Sequence, residues 1–206
     1  MDAFSVYIFG NTCAGKSTVG HMLATEFAGA YVSFGDSKRS HIRHQTDIGK
    51  MLDQAIAEGG PIPPELCVQV MQDSLVKGWN FLSGCPISLA ELTCLETVCP
   101  TRCAIHLSAD NDVLYTRFVN RGACPQCQRT GTRGELCQEH GLVLTTRVDA
   151  TQTEWEIRQK LYHERIVPFV TELSQHLPVL TIDVTSFEVA SVVDVATVWI
   201  REGEAK

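Results

Sequence analysis

The chain has 206 residues, 44% apolar and 20% charged, with 17 basic against 24 acidic side chains and a net charge of -7. That length suits one domain of about 100–200 residues with an ordinary core, and the composition excludes a disordered or collagen-like chain. The acidic balance excludes a generally basic nucleic-acid surface, no apolar run approaches the ~20 residues of a membrane span, and the first residues lack the basic region of a signal peptide. An untargeted chain with nine cysteines reads as cytoplasmic, its cysteines being thiols or metal ligands rather than disulfides.

In chain order, Ser5-Val6-Tyr7-Ile8-Phe9 is predicted as a buried strand that enters a glycine turn at Gly10 and then a helix over 17–27. Residues 31–34 form a second short strand. A helix is predicted over 47–57, where Ile48, Met51, Leu52, Ala55 and Ile56 share one face. Gly59-Gly60-Pro61 ends it. Pro63-Pro64-Glu65 opens another helix, with Leu66, Val70 and Met71 inward. Further strands are predicted at 79–82, 104–107 and 179–184, and helices at 110–120, 155–177 and 187–201. Strands alternating with helices argue for a parallel α/β sheet covered on both faces. Residues 122–146 break the alternation. They are rich in Gly, Cys, Gln, Arg and Thr and lack apolar periodicity, so this insertion needs a stabiliser other than a core of its own.

Gly10-Asn11-Thr12-Cys13-Ala14-Gly15-Lys16-Ser17 matches G-x-x-x-x-G-K-[ST] in full, between a predicted strand and a predicted helix. Backbone N–H groups of such a loop converge on phosphate oxygens, and the helix N-terminus adds positive potential. Lys16 would reach the β- and γ-phosphates, and Ser17 would offer its hydroxyl to Mg²⁺. Cys13 lies inside the loop and is a candidate for oxidation. The insertion carries Cys124-Pro125-Gln126-Cys127 and Cys137-Gln138-Glu139-His140, a C-x2-C-x9-C-x2-H pattern. Two such knuckles can close a tetrahedral Cys₃His shell around a structural Zn²⁺, with no open position for water. Cys67, Cys85, Cys94, Cys99 and Cys103 show no ligand spacing and read as small buried or half-buried residues.

With these motifs in place the chain resembles the adenylate kinase family, and more broadly the nucleoside monophosphate kinases, along almost its whole length. Gly35-Asp36-Ser37-Lys38-Arg39 is similar to the family's G-D-x-x-R, and residues 82–87 occupy the place of L-D-G-F-P-R. Arg117 and Arg121 resemble the arginine pair leading into the lid. The zinc-knuckle insertion resembles the metal-bearing lid of bacterial members, with a shorter loop between the knuckles. Arg147-Val148-Asp149 resembles the R-x-D-D that closes the lid, and Arg158 the arginine of the following helix. The resemblance implies an α/β three-layer P-loop sandwich with a five-stranded parallel sheet, an acceptor-binding helical segment and a small zinc-bearing lid. The core would comprise 1–33, 79–121 and 147–206, the acceptor segment 34–78 and the lid 122–146.

It also implies site residues. Lys16, Arg121, Arg147 and Arg158 would be catalytic. ATP would lie on Gly10, Cys13, Ala14, Gly15, Lys16, Ser17, Thr18, Arg117 and Arg121. The acceptor would meet Phe34, Arg39, Gly84, Glu91, Arg147 and Arg158. Ser17 and Asp36 would serve Mg²⁺, and Cys124, Cys127, Cys137 and His140 would hold Zn²⁺. The implied partners are ATP and a nucleoside monophosphate, with no nucleic acid or membrane, on a monomer.

The departures cluster on the acceptor side. Ile87 stands where the family has an arginine that grips the acceptor phosphate, and Ser83 where it has an aspartate serving Mg²⁺ through water. Cys85 replaces a phenylalanine, Phe34 a threonine, Glu91 a glutamine that reads adenine, and Lys160 a lid-helix arginine; Ala150 follows a lone Asp149. An isoleucine cannot replace a bidentate arginine–phosphate contact. Three functions therefore stand: γ-phosphoryl transfer from Mg·ATP to a nucleoside monophosphate, AMP by default; the same chemistry on another acceptor; or ATP binding with weak or no turnover.

Overall fold

The first strand, β1 (Ala3–Gly10), buries side chains on both faces. Val6 and Ile8 enter one hydrophobic cluster, Tyr7 and Phe9 another. Alternate residues of a strand point to opposite faces, so a strand apolar at every position must be covered twice. The computed structural model, which describes residues 3–127, 130–146, 150–186 and 188–204, shows that arrangement.

After β1 come α1 (Lys16–Glu26), β2 (Ala30–Ser33), α2 (Phe34–Arg43), α3 (Asp47–Ala57) and α4 (Pro64–Gln72). Then follow β3 (Gly78–Ser83), α5 (Leu89–Glu96), β4 (Thr101–Ser108) and α6 (Asn111–Val119). A second, three-stranded sheet is built from β5 (Arg121–Ala123), β6 (Thr130–Thr132) and β7 (Thr145–Thr146). The chain closes with α7 (Gln152–Leu161), a π-turn (Tyr162–Ile166), α8 (Val167–Leu173), β8 (Val179–Asp183) and α9 (Val189–Glu204). Five parallel strands form the central sheet in the order β2-β3-β1-β4-β8. Val19 and Leu23 of α1, Leu114 and Phe118 of α6, Trp155 of α7 and Val192, Ala196 and Ile200 of α9 cover one face. Leu66, Val70 and Met71 of α4, Leu92 and Leu95 of α5 and Phe169 and Leu173 of α8 cover the other. The expected α/β three-layer sandwich with a five-stranded parallel sheet is what forms.

Local boundaries differ from the sequence expectation in four places. Phe34 does not extend the second strand: Ser33 caps α2 by accepting from the Asp36 N–H, and Phe34 opens that helix. α2 buries no residue, so it leaves no apolar period to read. α5 was not expected, although Ser88 and Glu91 form an S-x-x-E start signal, with Ser88 Oγ accepting from Glu91 N at 3.3 Å. The single helix expected over 155–177 starts earlier, at Gln152, and is broken by the π-turn. Pro168 has no N–H to give back to the preceding turn and its ring crowds that turn's carbonyl, so the ladder widens there. Of the last predicted helix, Phe187 lies outside the described residues.

Candidate active site and lid

Gly15 sits at φ +89° as α1 begins, a conformation open to glycine, and Cys13 at +66° carries the turn before it. The loop therefore turns directly into the N-terminus of α1, where the first backbone N–H groups have no partner within the helix. Lys16 Nζ donates to the carbonyls of Gly10 and Asn11, each at 2.8 Å. Burial lowers its pKa to about 8, helped by the nearby positive charge of Arg121 and Arg158. A cation held this far from its ordinary value is one that an incoming anion would stabilise strongly.

A cavity of about 730 Å³ opens over this loop. Residues Thr12 to Val19 line one wall and Arg117, Arg121 and Arg158 another, with Val184, Val189 and Val192 at an apolar end. Among the described residues, four cations thus line the cavity with one carboxylate, Glu135. Each arginine is held. Arg117 donates to the Val184 carbonyl at 3.0 Å, and Arg121 to Thr130 Oγ1 at 3.3 Å. Arg158 pairs with Glu154 at 2.7 Å and lies over the Phe118 ring at 6.0 Å. Arg147, like Val148 and Asp149, lies outside the described residues. Lys160 is exposed, 3.9 Å from Glu164.

Three site features escaped the sequence reading. Tyr31 on β2 sends its hydroxyl to Ser17 Oγ at 3.1 Å and to Ser83 Oγ at 2.6 Å. Its ring lies so close over α1 that a Cβ on Gly20 would meet it at 2.3 Å, which is why a glycine stands there. Asn11 Nδ2 donates to Gln159 Oε1 at 2.6 Å, and Gln159 Nε2 donates back at 3.3 Å, tying the loop to α7. Behind the loop, His106 Nε2 is 2.7 Å from the Tyr162 hydroxyl. The motif gave positions 11 and 31 no special weight, because their partners are distant in sequence.

Among the residues expected to meet an acceptor, Phe34 is half-buried against the core, with Lys38 5.8 Å from its ring centre. Gly84 comes next to it: a Cβ there would lie 3.5 Å from Phe34 Cβ. Arg39 pairs with the exposed Asp36 on the same helix. Glu91 turns its carboxylate to its own loop, where Oε2 accepts from Ile87 N at 2.7 Å and from Cys85 Sγ at 3.5 Å.

In the lid, β5 pairs antiparallel with β6 and β7. Its apolar cluster consists of Cys124, Cys137 and Leu144, with Cys127 packed against it. The sulfur atoms of Cys124, Cys127 and Cys137 and a ring nitrogen of His140 all lie within 4.8 Å of one another. Cys127 Sγ to Cys137 Sγ is 3.7 Å, and Cys137 Sγ to His140 Nδ1 is 3.7 Å. Zinc–sulfur bonds of ~2.3 Å at tetrahedral angles place neighbouring sulfurs about 3.8 Å apart, so the four groups fit one Zn²⁺. Backbone N–H of Cys127 points at Cys124 and the His140 ring at Cys137, and both thiols are held below their ordinary pKa.

No protein-family model matches the chain. It is similar to curated adenylate kinases. That of Kosmotoga olearia is 24% identical over 196 residues, spanning 87% of this chain and 91% of the relative. That of Zymomonas mobilis is 26% identical over 184 residues, spanning 81% and 82%. That of Thermoanaerobacter sp. is 25% identical over 194 residues, spanning 86% and 89%. A glycine loop opening α1, a wall of arginines and a cysteine–histidine cluster thus lie on a chain that resembles the adenylate kinases along most of its length.

Proposed function

We propose that the chain transfers the γ-phosphoryl group of Mg·ATP to a nucleoside monophosphate, AMP by default. The observation that carries this reading is the cavity in which Lys16, Arg117, Arg121 and Arg158 converge on the phosphate loop. Phosphoryl transfer concentrates negative charge that the protein must neutralise and position, and needs little covalent chemistry from it. In this reading the backbone of Gly10 to Thr18 cradles the phosphates, and Val184, Val189 and Val192 face the base. Lys16, Arg121 and Arg158 stabilise the transferring group, with Arg147 joining them. Phe34, Arg39, Gly84 and Glu91 receive the acceptor, whose own phosphate is the nucleophile.

Mg²⁺ keeps several waters and needs few protein oxygens. The Ser17 hydroxyl fits that requirement, with Asp36 acting through water, and the ion when bound would neutralise charge on the β- and γ-oxygens. We assign 1–33, 79–121 and 147–206 to the core, 34–78 to acceptor binding and 122–146 to the lid, in a cytoplasmic monomer. Among the described residues no helix is long and apolar enough to cross a membrane. A coupled assay of ADP formation with AMP, GMP, CMP, UMP and dTMP tests the reading: no turnover with any acceptor defeats it. A second reading, ATP binding with weak turnover, is favoured by Glu91, whose carboxylate is engaged by Ile87 N and Cys85. ATP binding without ADP formation would select it.

A further inference from the structure

We propose that Cys67, Cys85 and Glu91 form a second site for a thiophilic divalent cation of the zinc class, on the acceptor side of the sheet. The three residues come from different elements: Cys67 from α4, Cys85 from the turn after β3 and Glu91 from α5. Their ligand atoms all lie within 4.8 Å of one another. The sequence gives no hint of this, because the two cysteines are far apart and share no knuckle spacing.

Buried cysteines ordinarily pack as small apolar groups. Two features go beyond that. Both thiols are only 3% exposed, yet a carboxylate is turned onto them. That carboxylate is anchored, since Glu91 Oε2 accepts from Ile87 N at 2.7 Å while standing 3.5 Å from Cys85 Sγ. A carboxylate oriented by a backbone donor and aimed at two sulfurs is the support that a ligating group has around a metal. Zinc takes Cys sulfur at ~2.3 Å and carboxylate oxygen at ~2.0–2.2 Å, so the ligand atoms need close by about 1 Å at most; water supplies the fourth position. Binding would release one proton from each thiol and leave the carboxylate ionised. Two thiolates and a carboxylate around a divalent cation leave one negative charge, and Lys38, close enough to Cys67 to interact with it electrostatically, offsets it. The cation would tie α4 to α5 and to the loop that carries Ile87. The inference shares Glu91 with the acceptor site of the phosphotransferase reading, but its test reads bound zinc and not turnover.

The test is zinc stoichiometry of the reduced full chain after equilibrium dialysis, by elemental analysis. The expected result is a second zinc per chain beyond that of the lid, lost in Cys67→Ala and in Cys85→Ala. Cys127→Ser should lose the lid zinc and keep the second one. Should the alanine variants fail to fold, Glu91→Gln decides: its second zinc should bind at least tenfold more weakly than in the wild type. A wild-type chain that saturates at the lid zinc alone overturns the proposal. So does a second zinc that survives removal of Cys67 and Cys85, or one unweakened in Glu91→Gln.

Discussion

The Tyr31 hydroxyl stands 2.6 Å from the Ser83 hydroxyl and donates to Ser17 Oγ at 3.1 Å. It thereby joins the end of β3 to the first turn of α1. By resemblance, position 83 is where an aspartate would order water around Mg²⁺. Here three hydroxyls occupy that corner. They can orient water and a cation, but they carry no negative charge.

Removing the tyrosine hydroxyl should therefore weaken Mg·ATP binding without unfolding the chain. One neutral hydrogen bond contributes about 0.5–1.5 kcal/mol net, so Tyr31→Phe should cost roughly two- to tenfold in affinity. Ser83→Asp should lower the Mg²⁺ concentration needed for half-maximal binding, because a carboxylate supplies the missing charge. Titrating Mg²⁺ at fixed ATP measures both. An unchanged Mg²⁺ requirement in both variants would remove this corner from the cation's surroundings.

If Lys16 meets the nucleotide as proposed, it should make binding pH-dependent. Its pKa is lowered to about 8 by burial. A polyphosphate beside it favours the charged form, so the bound value lies above the unbound one. Affinity should then be full below about pH 8 and fall as pH rises through the bound value. Binding near that pH should take up protons, seen calorimetrically in buffers of different ionisation enthalpy. Without nucleotide the sign is opposite for folding: the depressed pKa costs stability below about 8, and the cost is relieved as pH rises toward the ordinary 10.5. Lys16→Ala should abolish the proton uptake and reduce turnover by roughly a hundredfold or more. Proton uptake that persists in the variant assigns it to another group.

The parts of the molecule that were legible in sequence are those built from neighbours in the chain. Val6 to Phe9 declare a doubly buried strand, and Gly10 to Ser17 the glycine turn that carries it into α1, because a few consecutive residues carry the whole pattern. Cys124 to His140 are legible for the same reason. Tyr31, Ser83 and Gln159 were not, since each acquires its role from a partner that the fold brings in from elsewhere. α2 was invisible because it is a surface helix without a buried stripe. α5 was missed despite its Ser88–Glu91 start signal, because in eight residues it buries only Leu92 and Leu95, too short a stripe to show a helical period. Glu91, assigned to the acceptor by position, also holds the backbone N–H of Ile87, a contact that only the fold reveals.

Zinc should be the main stabiliser of the lid. Among the described residues its apolar cluster is Cys124, Cys137 and Leu144 with Cys127, so three of its four members are proposed ligands. Chelation or Cys127→Ser should abolish hydrogen-exchange protection across β5, β6 and β7 and leave the five-stranded sheet protected. Elemental analysis should give zinc in this site in the wild type and not in the variant. A lid equally protected with and without metal would show that its strands stand on other contacts.

Ile87→Arg tests the acceptor side. Ile87 follows the carboxyl end of β3, the rim where ligands bind in open α/β sheets, and its N–H is held by Glu91. An arginine there adds a bidentate donor and has the Glu91 carboxylate close by. If the chain phosphorylates AMP, a charge-assisted contact of ~1.5–3 kcal/mol should improve AMP use about ten- to a hundredfold. The gain should fall in KM if the contact is equal in ground and transition states, and in kcat if it strengthens only in the transition state. If Ile87 and Phe34 instead wall an apolar pocket, the guanidinium is buried beside neighbours that do not need it, and stability falls without any gain. AMP kinetics and the thermal midpoint of the same variant separate the two. A destabilised protein that uses AMP no better would end the case for AMP as acceptor and direct the search to a monophosphate that leaves position 87 apolar.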